Sequence, residues 1–198
     1  MTASARLRRV LETLSLPADT VPALVAFATL FRRWNKSINL SAARSEDAIV
    51  EHIVDSLHVV PLLRDAAITR ILDVGAGGGM PAVVAAICLP GAHITALEPV
   101  HKKHAFLRTA ARELGLTGLE PLALRVDDHP VRDYDAAMSR ATFDLRDWLF
   151  TALDRVRPGG LALGFEAIQR DDLPPGVSRY PYALADKTRA VVAIRRPA

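Results

Sequence analysis

Apolar residues recur at helical spacing in the first third of the chain. They follow one another at intervals of three and four over residues 24–34 and again over residues 49–60, which predicts a helix in each segment. Ser45 is the predicted N-cap of the second helix, because two acidic residues follow it in the first turn. Residues 34–45, WNKSINLSAARS, are too polar and irregular to extend either helix.

From Arg70 onward, short apolar runs alternate with amphipathic stretches. One amphipathic stretch, residues 103–114, ends at Gly115, as expected of a helix closed by glycine. Alternation of this kind predicts a parallel sheet with right-handed crossovers, whose ligands bind at the carboxyl ends of the strands. The predicted strands cover residues 71–74, 94–97, 122–126, 136–138 and 161–165.

The end of the chain has a different pattern. The runs VSRYPYAL and RAVVAIRR stand on either side of a polar ADKT turn, which predicts an antiparallel hairpin. The fold class expected from the whole sequence is therefore α/β, with a mostly parallel Rossmann-like sheet, a C-terminal antiparallel hairpin and a helical N-terminal extension.

Four of the eleven glycines lie within residues 75–79, between a predicted strand and a helix that opens with Pro81. A glycine-rich turn there lets a ligand approach the backbone and the helix N-terminus. Glu98 ends the next strand, where a carboxylate can accept hydrogen bonds from ribose hydroxyls. The letters Gly77, Gly79 and Ala82 also satisfy G-x-G-x-x-G/A, so a nicotinamide dinucleotide is a rival ligand.

Two features favour S-adenosylmethionine over a dinucleotide. Asp73 lies on the strand immediately before the loop, and the stretch LDVGAGGG resembles the first motif of Rossmann-like methyltransferases. Downstream, LRVDD at residues 124–128 ends the predicted third strand with a carboxylate, where methyltransferases usually hold the adenine.

The order of six motifs resembles the RsmG (GidB) family, bacterial 16S ribosomal RNA guanine-N7 methyltransferases. The resemblance spans roughly residues 20–165. Each motif alone is weak evidence, but six motifs in the order of the family are strong evidence. They are W-N-K-x-x-N-L at 34–40, H-I-x-D-S at 52–56, D-V-G-x-G-x-G-x-P at 73–81, K-K-x-x-F-L at 102–107, R-V-D/E at 125–127 and S-R-A at 139–141.

The resemblance implies a binding site for S-adenosylmethionine. Glu98 would take the ribose, and Arg140 would lie beside the methionine carboxylate and the target base, where a guanidinium fork is suited to bind. The full set of implied cofactor-binding residues is Asp73, Gly75, Gly77, Met80, Glu98, Val126, Asp127 and Arg140.

Arg140, His52 and Asp55 are the candidate catalytic residues. His52 and Asp55 are three residues apart on one helix face, so they could point together toward the cofactor pocket and shape the base site. A polar pair satisfied at a domain seam is the other interpretation of these two residues. Guanine N7 carries an in-plane lone pair and no proton, so its methylation needs positioning rather than a general base.

The sequence lacks the residues that several other functions require. The single cysteine, Cys88, lies in an apolar helical stretch and is expected in the core, and it excludes an internal disulfide. The motif N-P-P-Y or D-P-P-Y, typical of exocyclic amine methylation, is replaced by SRAT. No metal site is expected.

Charge is mildly basic, with 25 Lys and Arg against 22 Asp and Glu. Among the local basic clusters, Lys36, Lys102 and Lys103 are the candidate substrate-binding residues, because lysines contact RNA phosphates. No apolar run is long enough for a membrane span, and the first residues do not form a secretory signal. The expected setting is the cytoplasm.

The expected organisation is a helical N-terminal extension, residues 1–67, packing over the cofactor site of a methyltransferase domain, residues 68–198. The expected partner is 16S ribosomal RNA or the small ribosomal subunit, bound by a monomer without a membrane.

The chain departs from the family pattern at two positions. Ala82 replaces a usual glycine, and Glu166, expected near the RNA entrance, stands where relatives tend to carry lysine. These departures leave open a diverged methyltransferase for another RNA, a small molecule or a protein, and a binding module without catalysis.

Overall fold

Seven strands and seven helices form the described part of the computed structural model, residues 2–197. The strands are β1 Arg70–Val74, β2 His93–Leu97, β3 Leu119–Leu122, β4 Tyr134–Ser139, β5 Val156–Glu166, β6 Ser178–Leu184 and β7 Lys187–Arg195. The helices are α1 Ala3–Thr13, α2 Val21–Ile38, α3 Glu46–Leu57, α4 Val60–Asp65, α5 Ala82–Cys88, α6 His101–Glu113 and α7 Leu145–Arg155, with a 3₁₀ turn at Ala18–Thr20.

The strands form one sheet in the order β3-β2-β1-β4-β5-β7-β6. The first five are parallel to their neighbours, whereas β7 is antiparallel to both β5 and β6. The α/β class with a C-terminal antiparallel hairpin is therefore confirmed. Because β1 is flanked by β2 and β4, the chain order reverses at β1, which is where open sheets of this kind leave a crevice for ligands.

The predicted third strand is wrong in position. The structure places β3 at Leu119–Leu122, paired with Ile94–Leu97, and the segment after it turns through Val126 to His129. Pro121 made this segment a poor strand candidate, but β3 lies at the edge of the sheet, where a missing N–H is tolerated.

The first predicted helix is longer than its apolar pattern. α2 continues through the polar residues to Ile38 and ends at Asn39, whose φ of 52° is left-handed. Buried Asn35 explains this, because its side-chain amide donates to the Ala43 carbonyl at 2.5 Å and its oxygen accepts from Ser41 N at 2.9 Å. The polar side chain of Asn35 therefore holds the following loop against the helix.

The second predicted helix is two helices. Ser45 caps α3 as expected, with its hydroxyl accepting from Ala48 N at 3.1 Å. α3 ends at Leu57, and α4 begins at Val60 with Pro61 in its first turn, a favoured site for proline. The apolar spacing over residues 49–60 continues across the break between α3 and α4, so it did not reveal the break.

The sheet is covered on both faces. One apolar cluster joins α1, α2, α3, α5 and α6 to one face, and a smaller cluster places Trp148 of α7 on the other. Cys88 is buried in the larger cluster, as expected, and burial raises the pKa of its thiol to about 12. No helix within residues 2–197 has the length and apolarity needed to cross a membrane.

Phe31 of α2 brings the N-terminal helices onto the glycine loop. Its ring is 1% exposed and packs edge-on against Phe27 and Phe106, with centroid separations of 6.2 and 5.9 Å. A Cβ atom on Gly78 would overlap with this ring. The absent side chain at Gly78 is therefore a packing requirement.

Gly78→Ala is expected to lower the free energy of unfolding by about 1–3 kcal/mol, because the held Phe31 ring cannot move aside freely. Urea denaturation measures the loss, and Phe31→Leu in the same chain should recover part of it. Gly91→Ala is the matched control, since a Cβ there meets nothing within 4 Å. Equal stabilities of the Gly78 and Gly91 variants would contradict this packing.

Candidate functional site

A cavity of about 490 Å³ opens at the carboxyl ends of β1, β4 and β5. Its size is that of a small-molecule site. The N-terminal helices, the glycine loop, the segment after β4, the end of β5 and the C-terminal hairpin all contribute walls. Charged or polar lining residues include His52, Asp55, Lys103, Arg140, Thr142, Glu166, Tyr182 and Arg189.

The glycine loop follows β1 and forms one side of the cavity. Gly75 N and Ala76 N donate to the Leu97 carbonyl at 2.9 and 3.0 Å, which anchors the loop to the end of β2. Gly75 and Gly77 have φ of +71° and +54°, values that suit glycine. Predicted residues Gly75, Gly77 and Met80 all line the cavity.

Asp73 lies beneath the loop and is 1% exposed. Its Oδ2 accepts a hydrogen bond from Ala82 N at 3.0 Å, whereas Oδ1 has no partner within residues 2–197. Burial, with a contribution from the Glu98 charge, raises the pKa of Asp73 to about 7. The Ala82 departure is accommodated because Ala82 acts here through its backbone N–H.

Glu98 holds the loop rather than lining the cavity. It is 4% exposed, and its Oε2 accepts from Gly77 N at 2.9 Å while Oε1 accepts from Val100 N at 2.8 Å. Each carboxylate oxygen has a second lone pair for another donor. The ribose contact expected from the sequence therefore stays a prediction.

Asp55 and Arg140 form a buried ion pair. Arg140 Nη1 donates to Asp55 Oδ2 at 2.8 Å, and the two side chains are 16% and 2% exposed. Arg140 Nε also donates to the Met80 carbonyl at 3.2 Å. One guanidinium thus joins α3 to the glycine loop from the end of β4, and this ion pair is buried rather than on the surface.

The C-terminal hairpin also reaches Asp55. Tyr182 and Arg189 are cross-strand partners in β6 and β7. Tyr182 Oη donates to Asp55 Oδ1 at 2.7 Å, and Arg189 Nη1 lies 3.5 Å from Oδ2. The Tyr182 ring stacks on His58 with centroids 3.8 Å apart, and burial beside the Asp55 charge raises the pKa of its hydroxyl.

His52 lines the same cavity as Asp55, in agreement with a shared helix face. The His52 side chain makes no hydrogen bond to another group within residues 2–197. Burial and the nearby Arg140 charge lower the pKa of His52, although Asp55 opposes them. Burial and Arg140 therefore favour the neutral form of the ring.

Several predicted residues lie outside the cavity lining. Val126 is buried and Asp127 exposed, both in the turn after β3 instead of within a strand. Among the candidate lysines, Lys103 lines the cavity, while Lys36 and Lys102 are exposed on α2 and α6.

Glu166 lies in the cavity wall but is 3% exposed. Arg179 Nε donates to it at 2.9 Å, and Arg170 N donates at 2.9 Å. Glu166 is therefore a buried carboxylate whose charge Arg179 compensates, and not a solvated group at the strand end.

Sequence reasoning missed Tyr182 and Arg189. The hairpin itself was predicted, but its four-residue ADKT turn was wrong, because Leu184 pairs with Lys187 and only residues 185–186 form the turn; counting outward from the predicted turn would have placed Tyr182 opposite Val191. Their approach to Asp55 joins positions 127 residues apart for Tyr182, a contact that no local pattern specifies.

The arrangement suits S-adenosylmethionine. The glycine loop offers close backbone approach, Asp73 has an unsatisfied buried oxygen, and Arg140 is a cation beside the loop. Sulfonium, ammonium and carboxylate groups of that cofactor match such a mixed set of charges.

Comparisons with known proteins identify the family of this chain. The family model GidB, described as rRNA small subunit methyltransferase G, matches residues 20–172. Ribosomal RNA small subunit methyltransferase G of Azoarcus sp. (strain BH72) is 37% identical over 169 residues, covering 82% of this chain and 79% of that protein.

Solved structures share the fold. Cofactor-bound Rv0187 from MTB is similar with a TM-score of 0.61 and 17% identity, covering 89% of this chain and 91% of that one. The O-methyltransferase from Bacillus cereus in complex with SAH gives a TM-score of 0.58 and 18% identity, with coverages of 86% and 90%. At these identities the likeness concerns the fold alone.

The pKa of Asp73 predicts a pH dependence of stability. Between the ordinary value of 3.8 and about 7, the folded carboxyl keeps a proton that the unfolded chain has lost. Raising the pH through this window therefore lowers the free energy of unfolding. Chemical denaturation from pH 5 to 8 should show a steeper decline for the wild type than for Asp73→Asn; parallel profiles would contradict the assignment.

Proposed function

The chain belongs to the GidB family of rRNA small subunit methyltransferases, and we propose that it methylates N7 of a guanine in 16S ribosomal RNA. The methyl donor is S-adenosylmethionine. The observation that supports the proposal is the cavity of about 490 Å³ that is lined by both the glycine loop and the Asp55–Arg140 pair.

The glycine loop and its neighbours would hold the cofactor. When bound, S-adenosylmethionine supplies a methyl group activated on a sulfonium ion. Gly75 and Gly77 permit its approach to the backbone, and Glu98 keeps the loop in shape and has lone pairs left for the ribose. Val126 and Asp127 follow β3, whose Leu122 carbonyl accepts a hydrogen bond from Glu98 N, and these two residues would face the adenine.

Arg140 and His52 would position the guanine. Arg140 is fixed by Asp55 and the Met80 carbonyl, so its guanidinium is oriented before any ligand arrives. Neutral His52 has a ring nitrogen that can accept a hydrogen bond from an N–H of guanine. Because N7 attacks through its own lone pair, in-line placement is sufficient and no side chain has to remove a proton.

The N-terminal residues 1–67 would close this site from above, since Phe31, His52 and Asp55 all line the cavity. Lys103 at the cavity, with Lys102 and Lys36 on the surface, would contact RNA phosphates. We infer a monomer acting in the cytoplasm, where small ribosomal subunits are assembled.

Transfer of labelled methyl groups tests the function. Small subunits from a bacterial strain lacking this methylation should accept one methyl group per 16S RNA, and nuclease digestion should release it as N7-methylguanosine. Label recovered only in protein or small molecules would overturn the proposal.

Arg140→Ala should reduce this transfer by about 100-fold or more, because a small misplacement of the reacting groups has an effect of that order. It will also destabilise the fold, since buried Asp55 loses a partner. Arg140→Lys keeps a charge for Asp55 but lacks the fork, so it should fold and still transfer poorly. Arg132→Ala, exposed before β4, is the control; near-normal transfer by Arg140→Lys would count against the role.

Glu98→Ala should weaken binding of S-adenosylmethionine by about 1–3 kcal/mol, the range for hydrogen bonds to a charged group. The variant removes the proposed ribose acceptor together with the partner of Gly77 N. Calorimetry measures the affinity, with Glu120→Ala on the exposed surface as control. Unchanged affinity would exclude Glu98 from the cofactor site.

A further inference from the structure

Arg189 is a cavity residue to which the function proposed above gives no role. It lies on β7 and enters the cavity beside Tyr182, its cross-strand partner. Its side chain is 29% exposed, so part of it is accessible while most of its surface is covered.

The hydrogen bonds of Arg189 are incomplete. Nη1 lies 3.5 Å from Asp55 Oδ2, the oxygen that Arg140 already binds at the shorter distance of 2.8 Å. Nε of Arg189 is buried and has no partner within residues 2–197. Buried donors in native proteins are nearly always bonded, so the unpaired Nε–H shows that Arg189 has hydrogen-bonding capacity that residues 2–197 do not use.

The charges of the cavity favour an anionic ligand. Its lining carries three cations, Lys103, Arg140 and Arg189, against Asp55 and a Glu166 that Arg179 neutralises. S-adenosylmethionine brings a sulfonium and an ammonium group against one carboxylate, so it adds positive charge overall. The excess positive charge of the cavity is therefore left to bind the second substrate, the RNA.

The backbone of Arg189 lies on β7, three strand positions from the cofactor loop, while its guanidinium shares Asp55 with Arg140. β7 is separated from β1 by β4 and β5, and three strand spacings amount to about 14 Å. A cofactor centred on the loop after β1 leaves the β7 side of the cavity for the RNA.

We propose that Arg189 binds a phosphate oxygen of the RNA at the nucleotide to be methylated. The inference rests on the proposed function, because the phosphate belongs to the RNA substrate. The methionine carboxylate of the cofactor has the same anionic oxygen chemistry and is the other source to be distinguished.

Arg189→Met removes the charge while keeping an extended side chain, and Asp55 retains Arg140 and Tyr182 as partners. Arg189→Lys keeps the charge and provides a second variant if the first unfolds. Arg195→Met is the matched control, since Arg195 lies on the same strand with its side chain donating to Gly159 O at the opposite end.

Two affinities are measured for each variant: S-adenosylmethionine by calorimetry, and unmethylated small subunits by filter binding across a salt series. For Arg189→Met we expect subunit affinity to fall about tenfold, as for loss of a charged hydrogen bond. The log–log salt slope should fall by about one, the mark of a lost phosphate contact. Cofactor affinity should stay within about twofold. Arg189→Lys should restore the slope.

Weakened cofactor binding with an unchanged salt slope would assign Arg189 to the methionine carboxylate and overturn the proposal. If Arg189→Met has the cofactor affinity, subunit affinity and salt slope of the wild type, the proposal is also overturned, and Arg189 is only a partner of Asp55. If the wild-type protein itself neither binds nor methylates small subunits, the proposed function fails, and the phosphate role fails with it.

Discussion

The buried carboxylate of Asp55 is the constraint on which the arrangement of the site depends. The Asp55 side chain is 2% exposed, and an ionised group so placed requires partners for its charge. Those partners come from three separate segments: Arg140 after β4, Tyr182 on β6 and Arg189 on β7. Satisfying one carboxylate therefore sets the position of α3 relative to the sheet and brings two guanidinium groups to the same end of the cavity.

The opposite end of the cavity is built by a second set of contacts that need small residues. The loop after β1 is held by backbone bonds to Leu97 and by Glu98, and Phe31 covers Gly78 where no side chain fits. Both ends are linked, because Arg140 bonds the Met80 carbonyl within the loop. The N-terminal helices are consequently part of the site rather than an appendage, since they supply Phe31 and Asp55 to opposite ends.

Local pattern was enough to predict the α/β sheet, the C-terminal hairpin and the glycine loop, because each depends on spacing or on residues that suit one backbone geometry. Local pattern failed where the position of a residue in the tertiary structure determines its conformation or its partners. Pro121 is acceptable in β3 only because that strand is an edge, and Asn35 extends α2 because its amide finds a loop to hold. The partners of Asp55 on the hairpin, and the Arg179 that neutralises Glu166, come from distant contacts.

A double-mutant cycle on Asp55 and Arg140 tests most directly whether one carboxylate organises the site. Asp55→Asn, Arg140→Met and the double variant would be compared in urea denaturation and in methyl transfer to small subunits. If the pair acts as a unit, the double variant will lose little more transfer than either single one, with a coupling free energy in unfolding of about 0.5–3 kcal/mol. Losses that simply add, in both stability and transfer, would show that Asp55 and Arg140 act independently and would contradict this account.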